Sequence, residues 1–308
     1  EFRRVLFRSS SRFAFSLINE TKSRVKISEG CYENGGNLQE IPMERAYQSL
    51  KSFLNISNAL KSRKIICVAT SALRDAPNSN IFISKIRKDL GLNIKVIDGE
   101  KEAYYGGVAA LNLLHENSFV TVDIGGGSTE FIIGENFEPL ATESLQMGCV
   151  AYTQRFFADG TISAKALHKA TMAARQEVMV IANAYRELGW QSVVGSSGTI
   201  KAARQIMIQN GWANQEGLIT REGLQQVKEK ILSYKHVNEL NIAGLKEDRR
   251  AILPAGFAII QAVFDELDLQ TMTYSDGALR EGVLHDMLGR FSHEDIRDRS
   301  ANALMARY

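Results

Sequence analysis

The residues with the clearest chemical potential lie in V-T-V-D-I-G-G-G-S-T-E-F-I-I-G, residues 120–134. An apolar run reaches a carboxylate, Asp123, then passes through three consecutive glycines, Gly125, Gly126 and Gly127, to Ser128, Thr129 and Glu130. Glycines after a strand leave backbone N–H groups uncovered, so an anion can approach them closely. Ser128 and Thr129 add hydroxyl donors. An unpaired Asp123 is costly to bury, and a divalent cation riding on a phosphate is its natural partner, because Mg²⁺ prefers carboxylate, water and phosphate oxygens. Glu130 is near enough in sequence to join such a cation through a water. The bland alternative is a tight β-turn whose glycines serve geometry alone, although one glycine suffices for most turns. Apolar residues resume after the loop with strand character, which excludes the dinucleotide G-x-G-x-x-G, and the G-K-[ST] ending of a Walker loop is absent.

A second small-residue loop, G-S-S-G-T at 195–199, opens a helix. Its Ser197 and Gly198 stand where free N–H groups and the helix dipole favour an anion; a capped strand-to-helix turn explains the same residues without a ligand. Glu100 and Glu102, in the first turn of a helical segment, have the dipole as a sufficient explanation. Arg74 reads as a solvated loop arginine, and Arg280 either as the partner of a carboxylate at the domain junction or as one half of a surface ion pair. The five histidines are scattered, with no metal-ligand spacing.

The elements that must carry these residues alternate. R12–G30 reads as a β-hairpin turning at Asn19 to Lys22. Helical periodicity over 41–57, an apolar strand over 64–70, a helix over 79–91 ending at a glycine, a strand over 93–98 and a helix over 99–115 follow. From residue 119 the pattern restarts as a three-strand meander (119–124, 130–134, 138–145). Helices follow over 150–158 and 163–189, then a strand over 191–195, a helix from the second loop, a helix over 220–234 with a capping threonine and a long apolar helix over 249–268 containing Pro254. A strand over 271–276 and a helix over 277–291 end the series. Strands alternating with helices make the fold class α/β, and the two halves repeat an element order.

Bulk properties agree with a globular chain of two domains: 308 residues, 44 % hydrophobic and 23 % charged. A formal net charge of +2 gives no field for nucleic acid. No apolar run has the length of a membrane span. Three separated cysteines, Cys31, Cys67 and Cys149, read as reduced thiols of a cytoplasmic protein.

The segments V-D-I-G-G-G-S-T-E-F-I-I-G-E-N-F-E-P, M-G-C-V, G-S-S-G-T-I-K-A-A, S-D-G-A-L-R-E-G-V-L and G-R-F-S-H-E-D-I-R-D-R-S together resemble the bacterial exopolyphosphatase / guanosine pentaphosphate phosphohydrolase family, in order and from about Arg12 to Tyr308. The wording E-N-F-E-P and G-R-F-S-H-E-D-I-R-D-R is nearer the proteobacterial exopolyphosphatase branch. The resemblance implies an actin-like (ribonuclease H-like) two-domain ATPase-type fold with its site in the cleft between domains, and Mg²⁺-dependent removal of terminal phosphate from inorganic polyphosphate or guanosine pentaphosphate. It implies that Glu102 activates the attacking water from the domain opposite the phosphate hairpin, with Glu100 as second choice. Asp123 and Glu130 serve the metal, residues Gly125 to Thr129 bind phosphate, and Arg74 contacts substrate phosphate. A homodimer is expected on the same ground.

The chain departs from the family at its start. E-F-R-R-V-L-F-R-S-S, residues 1–10, stands where members carry a first phosphate loop, D-x-G-S-N-S, and reads as a cloning or assembly scar; a basic arm for an acidic partner is the other reading. The first strand and first loop are therefore expected to be missing. The expected organisation is 11–117 for domain I, 118–291 for domain II and 292–308 for a connecting helix, the whole being an internal fragment of a longer protein. Three functions compete: exopolyphosphatase, pentaphosphate phosphohydrolase with the same residues in the same roles, and a non-catalytic binder of polyphosphate or nucleotide. A sugar kinase or chaperone ATPase of the same fold is more remote.

Overall fold

The computed structural model describes residues 2–9, 15–31, 34–111, 118–135, 138–275, 279 and 282–283. The expected connecting helix over 292–308, Arg280 and most of the helix over 277–291 lie outside the described residues. The chain divides into two compact units, one running through Asp98 and the other spanning Gly99–His285.

In the first unit, β1 (Phe2–Ser9) pairs antiparallel with β2 (Phe15–Ser23). Residues 2–9, expected to be a scar, form a strand. One expectation is corrected. Asn19 to Lys22 are not a turn, because β2 runs straight through them, with Asn19 opposite Leu6 and Lys22 opposite Arg3. The reason lies in cross-strand polar pairing. Arg4 donates to the side chains of Asn19 and Thr21, and Arg3 and Lys22 both approach Glu20. The polar run that resembles a turn is thus one partner of a basic strand. α1 (Glu40–Ala59), β3 (Cys67–Ala69), the short α2 (Ser71–Arg74), α3 (Ser79–Leu90) and β4 (Ile94–Val96) complete the unit. α3 ends at Gly91 in the left-handed region, φ 67°, as its sequence indicates. β3 and β4 pair in parallel, Val68 opposite Lys95. The core is Val25, Leu38, Ala46, Leu50, Phe82 and Ile86.

The second unit opens with α4 (Gly99–Leu111), which packs on the meander β5 (Ser118–Ile124), β6 (Thr129–Glu135) and β7 (Glu138–Leu145). The domain boundary drawn at residues 117 and 118 therefore moves to 98 and 99: the buried Ala103 and Tyr105 commit α4 to the second unit. α5 (Cys149–Phe156) and α6 (Ala164–Leu188) follow, the latter capped by the Ser163 hydroxyl accepting from the Ala166 N–H. β8 (Ser192–Ser196) leads into α7 (Ser197–Gln209). A two-residue β9 (Ile219–Thr220), absent from the sequence expectation, precedes α8 (Arg221–Leu232), whose cap is the foreseen Thr220. The expected helix over 249–268 is two elements, a 3-10 turn over Glu247–Ile252 and α9 (Leu253–Glu266). Pro254 explains the change: lacking an N–H and fixed in φ, it suits a helix's first turn. β10 (Thr271–Tyr274) completes a mixed sheet of order β7-β6-β5-β8-β10-β9.

α9 is the buried axis of this unit, with Phe257, Ile259, Ile260, Val263 and Phe264 all at most 2 % exposed. Its C-terminal end is held by three arginines. Arg175 pairs with the Glu266 carboxylate at 2.5 Å, Arg186 donates to the Glu266 carbonyl at 2.6 Å and Arg221 to the Phe264 carbonyl at 2.8 Å. Cations suit the carbonyl end of a helix.

Phe264→Ala is expected to destabilise the second unit by about 3–5 kcal/mol. Both tryptophans, Trp190 and Trp212, lie in that unit, so urea unfolding followed by their fluorescence measures it directly.

Candidate active site

The glycine loop is a β-hairpin turn closed by the Gly125 N–H donating to the Ser128 carbonyl at 2.9 Å. It sits on the N-terminus of α5. The Cys149 N–H donates to the Gly125 carbonyl at 3.0 Å, and the Val150 and Ala151 N–H groups to the Gly126 carbonyl at 2.9 and 3.1 Å. Those amides have no partner within the helix, and the loop supplies one. A trans peptide directs its N–H opposite to its C=O. With the Gly125 and Gly126 carbonyls turned to α5, the N–H groups of Gly126 and Gly127 face the other way, as an anion site requires. The approach depends on Gly148, where a Cβ would lie 2.3 Å from the carbonyl carbon and oxygen of Gly126.

The hydroxyls after the glycines do not share this task. Thr129 is fully buried and donates to the Met147 carbonyl at 2.5 Å, which removes it as a phosphate donor. Ser128 is also buried, and its side chain bonds to Glu130. Both hydroxyls serve the hairpin, because a buried hydroxyl must find an internal partner.

Strand register aligns the acids. Asp123 on β5 is directly opposite Glu130 on β6, which is opposite Ser144 on β7; on its other side Asp123 faces Ser196 at the end of β8. Glu130 is 4 % exposed and accepts from Ser144 Oγ at 3.1 Å. Its carboxyl is pushed well above the usual range by burial first, then by the charges of Glu102 and Asp123, against the lowering effect of Ser128 and Ser144. Glu102 is half-buried on the first turn of α4 and belongs to the same unit as the hairpin. This corrects the expectation that it acts from the opposite domain: α4 packs on β5, β6 and β7, so the carboxylates are neighbours within one unit. Glu100 shares that first turn.

The second loop lies close to the first. Ser197, at φ 95°, occupies the left-handed region that non-glycine residues rarely adopt. Its hydroxyl accepts from the Thr199 N–H at 3.3 Å. At α9, a Cβ on Gly256 would meet Thr199 Cγ2 at 2.5 Å and Cys149 Cβ at 3.7 Å, so the first turns of α5 and α7 converge there. Burial pushes the Cys149 thiol up, with Thr199 and Arg249 acting in the opposite direction.

Arg249 was not singled out in the sequence. Its guanidinium lies against Gly198, where a Cβ would be 2.3 Å from Nη2. One signal was available: two arginines stand just ahead of an apolar helix, at the end where the dipole disfavours cations. Ser144 was likewise read only as a strand residue. Arg74 is in the first unit, where it donates to the Ile97 carbonyl at 3.1 Å and lies 3.5 Å from Asp75.

The glycine hairpin and its paired acids thus lie on an α/β unit that also carries a third carboxylate and an arginine. The Ppx/GppA phosphatase family model matches residues 5–291, and the chain belongs to that family. It is 40 % identical over 290 residues to a putative exopolyphosphatase of Haemophilus influenzae, covering 94 % of this chain and 88 % of that one. It is 35 % identical over 289 residues to a guanosine-5'-triphosphate,3'-diphosphate pyrophosphatase of Photobacterium profundum, covering 93 % of this chain but 57 % of that relative's length. The fold is that of the exopolyphosphatase crystal structure from Cytophaga hutchinsonii (TM-score 0.82, 24 % identity, 94 % of each chain) and of the Aquifex aeolicus Ppx/GppA structure (TM-score 0.77, 23 % identity, 94 % and 95 %).

Gly148→Ala is expected to weaken binding of inorganic pyrophosphate by about tenfold or more, because the added methyl displaces the Gly126 peptide; isothermal calorimetry measures it. In chelator, Glu130 binds its proton more strongly folded than unfolded. The stability it contributes is full below the ordinary glutamate pKa of about 4.3 and is lost as pH rises through the higher folded value. Glu130→Gln is therefore expected to raise Tm relative to the parent, by an amount that grows from pH 5 to pH 8.

Proposed function

We propose that the chain hydrolyses a terminal phosphoanhydride bond of inorganic polyphosphate, with Glu102 as the general base. The observation that carries this reading is the placement of Glu102 in the unit of the glycine hairpin, near enough to act electrostatically on Glu130. Phosphoryl transfer needs an oriented nucleophile and neutralised charge, with little other chemistry from the protein. The N–H groups of Gly126 and Gly127 bind oxygens of the terminal phosphate. Glu102 accepts the proton of a water as that water attacks the terminal phosphorus. The bridging P–O bond breaks, and the shortened chain leaves with its electron pair. Arg249, lying on Gly198, offsets negative charge on the phosphates.

The donor set suits Mg²⁺. Among the described residues no group of three or more His, Cys, Asp or Glu side chains is arranged to hold a metal ion. Two acids in register, one raised in pKa by burial and by its neighbours' charge, suit a hard cation bound by one or two carboxylates with water and substrate oxygens, since a cation offsets that charge. Asp123 and Glu130 are the residues that would hold it. When bound, the ion would supply charge neutralisation on the transferred phosphate.

A second reading, hydrolysis of guanosine pentaphosphate by the same residues, is favoured by the name of the Photobacterium profundum relative. No described helix is long and apolar enough to cross a membrane. Partners other than these phosphate substrates are not needed for the reading, and the expected homodimer remains a proposal.

Glu102→Gln is expected to lower phosphate release by about a thousandfold or more while sparing pyrophosphate binding. Retained turnover removes Glu102 as the base. Release measured in parallel from long-chain polyphosphate and from guanosine pentaphosphate decides between the two substrates, and a strong preference for the nucleotide reverses the first choice.

A further inference from the structure

We propose that Ser144 is a positioning residue for hydrolysis, joining the hairpin carboxylate to the helix that carries Glu102. The proposal rests on the reading of Glu102 as base and adds to it the device that holds that base in place.

Ser144 makes two side-chain contacts, one to its cross-strand partner Glu130 and one to the start of α4. Its hydroxyl donates to Glu130 Oε1 at 3.1 Å. Its side chain also fills the space left by the absent Cβ of Gly99, the first residue of α4: a Cβ there would lie 2.3 Å from Ser144 Cβ and 2.6 Å from Oγ. Gly99 has no positive φ to require a glycine, so close approach is the reason for it. Real Cβ atoms do not tolerate such separations, and here the obstacle is a Cβ fixed to a paired strand, not the end of a flexible chain. The start of α4 is therefore seated on β7 at the residue that bonds Glu130.

Residues three apart share a helix face. Gly99 and Glu102 are so spaced, and Ala103, 1 % exposed, continues the buried side. Seating Gly99 on Ser144 fixes both the axial position and the rotation of the first turn, and with them the Glu102 carboxylate. In one direction Ser144 holds Glu130, and in the other it holds the helix carrying the base. A hydroxyl beside an acidic partner suits this task, because it bonds without adding a charge to a site already crowded with negative groups.

Four variants test the joint: Ser144→Ala, Ser144→Gly, Gly99→Ala and the double variant Gly99→Ala/Ser144→Gly. Phosphate release from polyphosphate, or from the pentaphosphate if that is the better substrate, gives kcat and KM; melting gives Tm. Ser144→Ala is expected to lower kcat by about three- to tenfold, the size of one ordinary hydrogen bond, with KM changed less than threefold. Gly99→Ala should lower kcat further. The double variant should recover to the level of Ser144→Gly alone, in both kcat and Tm, since removing the serine side chain makes room for the new methyl. Unchanged kcat in Ser144→Ala overturns the positioning role. A double variant no better than Gly99→Ala in Tm overturns the seating, and that arm needs no turnover. Turnover surviving Glu102→Gln overturns the base assignment and leaves the seating to stand or fall on Tm.

Discussion

The docking of two glycine carbonyls on the amides of α5 is the contact on which the rest of the second unit depends. It satisfies the free donors of a helix end and the acceptors of a loop in one set of bonds. It also decides which face of the loop remains for a ligand, since peptide planarity ties each inward carbonyl to an outward N–H. The strands, α5 and the turn between Met147 and Cys149 are arranged around it. Gly148 gives up its side chain so that the loop can come close, and Thr129 gives up its hydroxyl to Met147 so that the turn keeps its shape. The α5 dipole acts on a ligand only through this intermediary, for its first amides are already occupied.

Near that contact the unit gathers three carboxylates and, at the second loop, an arginine. Asp123, Glu130 and Glu102 are brought together by strand register and by α4, and the cost appears as a carboxyl that resists ionisation. Arg249 lies at the second loop, on a residue without a side chain. The loops meet over Gly256 of α9, whose far end is held by Arg175, Arg186 and Arg221. A phosphate with its cation is complementary to such a set, because it offers anionic oxygens to the amides and guanidinium and a positive ion to the acids.

Much of this was legible in the sequence, for physical reasons that differ by residue. The hairpin announced itself through three glycines between apolar runs, a pattern with few other uses. Helix ends at Gly91, Ser163 and Thr220 were legible because caps are local chemistry. Family resemblance alone singled out Glu102, whose residue type and position are otherwise explained by the helix dipole. The failures were tertiary. Asn19 to Lys22 have turn composition but are claimed by Arg3 and Arg4 across a strand pair. The side on which α4 packs follows from Ala103 and Tyr105 meeting the meander, which no local rule conveys. Arg249 and Ser144 act through contacts with glycines distant in the chain, and a missing Cβ leaves no mark that periodicity can detect.

The continuity of the acidic cluster has a consequence for folding. Glu102, Asp123, Glu130 and Ser144 all fall between Gly99 and Leu145, a helix followed by a meander of adjacent antiparallel strands. Contacts between near neighbours in sequence close small loops and form early, whereas the parallel pairing of β5 with β8 and of β8 with β10 must wait for long helical connections. The acids are thus assembled while the chain around them is still incomplete and water still reaches them.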